Sequence, residues 1–122
     1  MKRRELERNL SPITSRLLVE KGYICLVDVF VSLGYLTEKD IESWRMRKIP
    51  YLEKCIKVNL SKASLIVTTV RGNCINGKLK ESFTVYKSWG KGQKTVLRFS
   101  KSGQPSIEKA YATHFIKPKN MA

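Results

Sequence analysis

The chain has 122 residues, of which 42% are hydrophobic and 9% aromatic, and it carries a formal net charge of +14 at pH 7. This length and composition predict one domain with a hydrophobic core, and they exclude a disordered tail, which would be poor in aromatic and β-branched residues. The longest apolar run, residues 23–36, is interrupted by Asp28, Ser32 and Gly34, so no membrane span is expected. The basic start of the chain is followed by charged residues, so we expect no secretory signal and a cytoplasmic protein.

The first part of the chain shows helical periodicity. Four apolar residues recur at helical spacing: Leu6, Leu10, Ile13 and Leu17. Ser11 and Pro12 form an N-cap and N1 pair that predicts the start of a helix ending at Gly22. Whether residues 3–10 form a separate helix or one continuous with it stays open. The apolar stripe either packs within the chain or pairs with a second copy, so a homodimer also stays open.

Two more helices are predicted before Pro50. Residues 27–33 form a short helix closed by Gly34. Thr37 then begins the next helix as an N-cap, with Asp40 three residues later completing a capping box.

Two helical segments are predicted after Pro50. One carries a short stripe: Tyr51, Leu52, Cys55 and Ile56. The other is a long helix capped by Asn59 or Ser61 and running to about Asn73. Its β-branched run, residues 66–70, could also form a strand, but the spacing of its apolar residues favours a helix.

The pattern changes to that of strands after Gly77. Residues 82–88 and 94–100 are strand-like runs joined by a loop with two glycines, which predicts a β-hairpin. The alternation places residues on two faces: Phe83, Val85, Leu97 and Phe99 on one, Tyr86 and Arg98 on the other. A final amphipathic helix carries four residues on one stripe: Ile107, Ala110, Tyr111 and His114.

The predicted fold is therefore α+β, with a mostly helical N-terminal part, a two-stranded antiparallel β-hairpin and a C-terminal helix. Residues 1–116 form a single domain, and residues 117–122 form a basic frayed tail.

Most of the excess charge lies in the second half of the chain. Residues 1–61 contain 12 Lys and Arg against 8 Asp and Glu, whereas residues 62–122 contain 12 against 2. Such an excess repels itself in the folded state unless a polyanion relieves it. Nucleic acid is the commonest such partner, and an anionic membrane surface is the main competitor.

Residues 26–48 are a candidate helix-turn-helix. The second helix ends in a short basic stretch beside Trp44: Arg45, Arg47 and Lys48. With the hairpin that follows, residues 23–100 resemble winged helix-turn-helix DNA-binding proteins. The resemblance implies that the second helix enters the major groove of DNA and that the hairpin is a wing. The pattern departs from the standard one, because the second helix begins with acids that oppose phosphate: Glu38, Asp40 and Glu42. The alternative is an ordinary helical hairpin within the core.

The predicted hairpin tip is the second candidate contact. Lys87, Lys91 and Lys94 surround Trp89, with Arg98 and Lys101 beyond. Lysines contact phosphates without reading sequence, and a tryptophan can stack on a base. The alternative is a solvated loop with Trp89 folded onto the core. A third candidate, residues 44–51, is either a basic clamp flanked by aromatics or a helix junction.

No catalytic constellation stands out, and the best prediction is non-catalytic binding of double-stranded DNA by a transcriptional regulator or a mobile-element accessory protein. His114, the only histidine, is expected to be a core residue. The three cysteines are widely spaced and odd in number, which argues against a disulfide framework and a zinc site. We expect no metal and no cofactor, although a tyrosine nucleophile stays open. The alternatives are binding of RNA or the ribosome, an interaction module for an acidic protein, and a small nuclease or toxin.

Overall fold

The computed structural model describes residues 3–118, and within this range it contains five α-helices and three short β-strands. The helices are α1 Arg3–Lys21, α2 Leu26–Ser32, α3 Glu38–Arg45, α4 Leu60–Asn76 and α5 Pro105–Ala112. The strands are β1 Tyr23–Ile24, β2 Lys80–Phe83 and β3 Thr113–Ile116. They form one antiparallel sheet in the order β1-β3-β2. The α+β class and the helical first part are confirmed, but the sheet is not a two-stranded hairpin.

Helix α1 is continuous through residues 3–10, one of the two alternatives left open by the sequence, so Ser11 and Pro12 do not begin a helix. Pro12 lies inside the helix and is exposed. Proline lacks an N–H and so breaks one backbone hydrogen bond. Burial outweighs this loss, because Leu6 and Leu10 are fully buried on the same helical stripe as the buried Leu17. The stripe lies in the core of the single chain.

Helices α2 and α3 and the turn between them agree with the prediction. Gly34 adopts a φ of +84°, which a residue with a side chain rarely does. The Thr37 hydroxyl accepts the Asp40 N–H and the Asp40 carboxylate accepts the Thr37 N–H, both at 3.1 Å. The predicted capping box is therefore confirmed.

The helical stripe predicted after Pro50 is wrong, because the chain forms only a 3₁₀ turn, Leu52–Lys54. The backbone N–H groups of Leu52 and Glu53 donate to carbonyls of residues 98 and 99, at 3.2 and 2.8 Å. This tertiary pairing replaces a longer helix. Helix α4 forms as predicted, and the Asn59 side chain caps it by accepting the Lys62 N–H at 2.8 Å.

The C-terminal helix ends at Ala112, so the prediction that His114 lies on its apolar stripe is wrong. His114 lies in β3, the middle strand, opposite Ser82 of β2. Thr113 and Phe115 are buried and alternate with half-buried neighbours, as expected for a strand. Neither β1 nor β3 was predicted. Of the predicted frayed tail, residues 119–122 lie outside the described residues, and the Lys117 N–H donates to the Gly22 carbonyl at 3.3 Å.

The segments predicted as a hairpin do approach each other, but they form only one isolated bridge, between Lys87 and Val96. The predicted division into faces is also wrong. Tyr86 is buried with Leu97 and Phe99, while two residues expected beside them, Phe83 and Val85, are exposed. Regular strand β2 ends at Phe83, and the residues beyond it do not form a regular strand. The two-residue alternation on which the predicted faces depend therefore does not continue.

Aromatic side chains anchor this connection, residues 84–104, in the core. Tyr86 and Phe99 contact each other edge to face at 5.1 Å between ring centroids. Both also contact Trp44 of α3, at 5.7 and 5.1 Å, and Phe99 stacks on Tyr111 of α5 at 5.3 Å. The connection is thus held at both ends, and its middle part is placed beside the end of α3.

Candidate functional site

The predicted basic stretch of α3 and the predicted hairpin tip meet in the folded chain. The backbone N–H of Trp89 donates to the Arg45 carbonyl at 2.7 Å, and the Arg45 guanidinium donates to the Lys87 carbonyl at 2.8 Å. The Arg47 guanidinium donates to the Thr95 hydroxyl at 3.3 Å. We call the resulting exposed patch the basic loop surface, which consists of Arg47, Lys48, Lys87, Trp89, Lys91 and Lys94.

Carboxylates near this surface are few. Residues 82–107 contain no Asp or Glu. Glu81 lies 3.9 Å from Arg71, and the Glu108 carboxylate accepts the N–H groups of Phe99 and Ser100 at 2.9 and 2.7 Å. The acids that flank the segment are therefore engaged with other groups. The exposed lysines of the segment therefore have no acidic partner within it, and the Lys94 ammonium donates to the Gly90 carbonyl.

Arg45 is the half-buried support of the surface and not one of its free cations. Its guanidinium lies over the rings of Tyr86, Trp89 and Trp44, at 4.8, 5.3 and 5.7 Å from their centroids. Burial lowers the pKa of Arg45, yet a guanidinium stays protonated in proteins. Its Nε is buried without a hydrogen-bond partner within the described residues. The side chain thus ties the loop to the end of α3.

Arg47 occupies a strained backbone position. Helix α3 ends in a Schellman motif, in which the Lys48 N–H donates to the Ser43 carbonyl and the Arg47 N–H to the Trp44 carbonyl, at 2.8 and 3.0 Å. The residue at this position is usually glycine, because φ is positive there, and Arg47 has a φ of +62°. Glycine would fit this backbone position better than arginine, but the arginine side chain reaches the loop and donates a hydrogen bond to it.

Arg98 and Lys101, also predicted as contacts, are exposed at the bend of residues 98–103, and their role as contacts stays a prediction. The Arg98 guanidinium donates to the carbonyls of Ser100 and Lys101, at 2.8 and 2.7 Å, and lies 5.4 Å from the Tyr51 ring centroid. The Lys101 N–H donates to the Glu53 carboxylate at 3.0 Å. These contacts shape the bend at residues 98–103.

The third candidate, residues 44–51, divides between the core and the surface. Trp44 is fully buried, and its indole N–H donates to the Arg98 carbonyl at 2.9 Å. Tyr51 is half-buried, and Arg47 and Lys48 between them are exposed. The aromatic residues are thus structural, and only the basic ones are available to a partner.

A groove between α4 and α5 was missed by the sequence analysis. It has a volume of about 960 Å³, and apolar residues such as Val67 and Ile107 line it. Leu60 and Ile75 of α4 are 56% and 49% exposed, and both line the groove. Leu60 and Ile75 could have indicated the groove from the sequence, because they are apolar residues that lie outside the buried face of α4.

The polar groups around His114 are held by hydrogen bonds and ring contacts within the fold. The His114 Nε2 lies 2.7 Å from the Tyr86 hydroxyl, and the imidazole stacks on Tyr23 at 4.7 Å. Burial lowers the pKa of His114 and raises the pKa of the Cys25 thiol to about 12. Cys25 therefore stays a thiol, donating to Asp28 at 3.2 Å.

Neither a metal-binding cluster nor a membrane-spanning helix is present within residues 3–118. No group of three or more His, Cys, Asp or Glu within this range could hold a metal ion. No helix of the described chain has the length and apolar character needed to cross a bilayer. Comparisons of the sequence with protein-family models and curated proteins, and of the fold with solved structures, find no match.

Proposed function

We propose that the protein binds nucleic acid without catalysing a reaction, with duplex DNA as the first ligand and RNA as the second. The observation that carries the proposal is the convergence of two basic segments, Arg47 with Lys48 and residues 87–94, on one exposed surface. These segments are about 40 residues apart in the sequence. Basic residues spread evenly over the molecule would not support the proposal.

Phosphate contacts supply the affinity in this proposal. The exposed cations neutralise phosphates and release condensed counterions, so binding weakens as salt is raised. The predicted recognition helix contributes little, because Glu38 and Glu42 are exposed near its start and Trp44 is buried near its end. In the terms of a winged helix-turn-helix, the loop acts as a wing and is the main contact.

Substitution of the loop lysines tests the proposal. Replacing Lys87, Lys91 and Lys94 by Ala should flatten the slope of log K against log salt by roughly 2–3 units, about one per lost phosphate contact. A matched control makes the same change of charge at three exposed lysines outside the loop, Lys39, Lys57 and Lys78. The slope should change much less in the control. Equal slopes in the wild type and the loop variant would refute the proposal.

Duplex DNA, duplex RNA and single strands are to be compared at equal salt. RNA is the second ligand because Trp89 is 51% exposed beside lysines, and an exposed aromatic suits the unstacked bases of RNA. A tenfold preference for RNA would replace the winged-helix interpretation of the function by an RNA-binding one.

A protein partner is the second candidate function, and the groove between α4 and α5 favours it. Its floor is apolar, and Arg71 and Lys101 line it, which suits an acidic segment with apolar side chains. This function predicts only weak binding of nucleic acid at physiological salt, independent of the length of the ligand. An affinity that rises with length would contradict it.

A further inference from the structure

The two tryptophans of the chain are in opposite environments. Trp44 is fully buried, whereas Trp89 is 51% exposed on the loop. Gly90 and Gly92 follow Trp89 with φ values of +100° and +93°, so the backbone turns sharply after it. A large aromatic ring left this exposed on a polar loop is uncommon unless it meets a partner.

Trp89 is nevertheless held in place and does not hang free. Its backbone N–H donates to the Arg45 carbonyl at 2.7 Å, and the Arg45 guanidinium lies 5.3 Å from the ring centroid. Arg45 is itself held by Tyr86 and by the Lys87 carbonyl. A guanidinium thus lies over the indole ring, and about half of the residue's surface is exposed to a partner.

Cations lie next to this free surface. Lys87 and Lys91 are exposed two residues before and after Trp89, and the Lys94 ammonium donates to the Gly90 carbonyl. An exposed ring among cations is the arrangement with which proteins bind single-stranded nucleic acid, the ring stacking on a base while the cations follow the backbone. A base inside a duplex cannot stack on the ring without first leaving its neighbours.

We infer that Trp89 stacks on an unpaired base, and that the preferred ligand of the basic loop surface is a nucleic acid with bases outside the double helix, such as a single strand, a loop or an overhang. The inference rests on the proposal that the protein binds nucleic acid, and it places unpaired strands ahead of duplex DNA as the ligand of the loop. Arg45 is a positioning residue in this site, because its guanidinium lies over the Trp89 ring and donates to the Lys87 carbonyl, and so acts on the ligand through the loop.

Tryptophan fluorescence of the full chain tests the inference. Trp44 is buried, so quenching by a ligand reports on Trp89. An oligothymidine and an oligouridine should quench the emission, whereas a duplex of equal length should bind, by anisotropy, without quenching. The Trp89→Ala variant should lose about 5- to 150-fold in affinity for the single strands and little for the duplex. The Trp89→Phe variant should keep most of the affinity.

A matched control is Val96→Ala, because Val96 is an apolar residue of the same loop and is 65% exposed. Its affinity for single strands should be unchanged. In Arg45→Lys the charge is kept but the planar contact with Trp89 is lost, so quenching should fall while the salt slope stays the same. If Arg45→Lys changes the salt slope but leaves the quenching as in the wild type, the positioning role of Arg45 is refuted.

The outcomes separate the inference from the proposed function. Salt-dependent binding of single strands and duplex without quenching, and with equal affinities for wild type and Trp89→Ala, would overturn the inference and leave the proposed function intact. Absence of binding to any nucleic acid would overturn both. If Trp89→Ala fails to fold, the quenching of the wild type and the affinity of Trp89→Phe decide the matter.

Discussion

Arg47 is expected to lower the stability of the protein while raising its affinity for nucleic acid, and Arg47→Gly separates the two effects. The residue has a φ of +62° at the end of α3. A side chain in this left-handed region costs about 1–2 kcal/mol. Glycine escapes that cost but loses about 0.5–1 kcal/mol more conformational entropy on folding than alanine.

The variant Arg47→Ala is the matched control, because both variants lose the same charge and the same hydrogen bond to Thr95. Only glycine relieves the backbone, so Arg47→Gly should be more stable than Arg47→Ala by about 0.5–1 kcal/mol. This difference corresponds to roughly 2–5 °C in Tm for a domain of this size. Each variant should flatten the salt slope for nucleic acid by about one unit.

Thermal unfolding and a salt titration of both variants check these values. A melting temperature of Arg47→Gly at or below that of Arg47→Ala would refute the argument from backbone strain. An unchanged salt slope in both would show that Arg47 does not contact phosphate.

Three other predictions concern stability, each measured by urea unfolding. Because burial lowers the pKa of His114, the unfolded chain binds a proton more readily than the folded one, so stability should fall as the pH drops below about 6.5. His114→Gln should remove this part of the pH dependence, and an equal loss in the variant would contradict the assignment. Glu108→Gln should cost about 1–3 kcal/mol, because the carboxylate accepts the N–H groups of residues 99 and 100, and a cost near zero would contradict that role. Asn59→Ala should cost about 1 kcal/mol, since the Lys62 N–H loses its acceptor, whereas Asn59→Asp should cost little.

The helices could be predicted because their signals are local. The capping box of Thr37 and Asp40 lies within four residues of the sequence, and so does the contact of Asn59 with α4. Pro12 shows the limit of such signals. Its local preference is for the start of a helix. Helix α1 is nevertheless continuous because its apolar residues are buried against other parts of the fold.

The sheet could not be predicted because its pairings are not local. Strand β1 has two residues, too few for a periodic pattern, and β3 continues directly from α5. The spacing of the apolar stripe fits a helix that continues through His114, and it does not reveal that α5 ends at Ala112. What decides for a strand is the ladder offered by β1 and β2, which lie far away in the sequence.

The composition of the candidate site was predictable, but its arrangement was not. Clusters of lysine in the sequence identified the loop, because such residues are exposed in almost any fold. The role of Arg45 depends on tertiary contacts with aromatic rings, whereas Arg98 donates to backbone carbonyls two and three residues away in the bend that it shapes. Nothing in the sequence distinguishes them from the free cations beside them.

The order of strands in the sheet has a consequence for synthesis on the ribosome. The middle strand β3 is the last element of the described chain, and β1 and β2 each pair with it and not with each other. Neither of them can form its ladder until Ile116 has left the exit tunnel. The nascent chain therefore exposes two unpaired strands until β3 has been synthesised and released, so completion of the sheet is expected to be a late step, slowed by contacts between residues distant in the sequence.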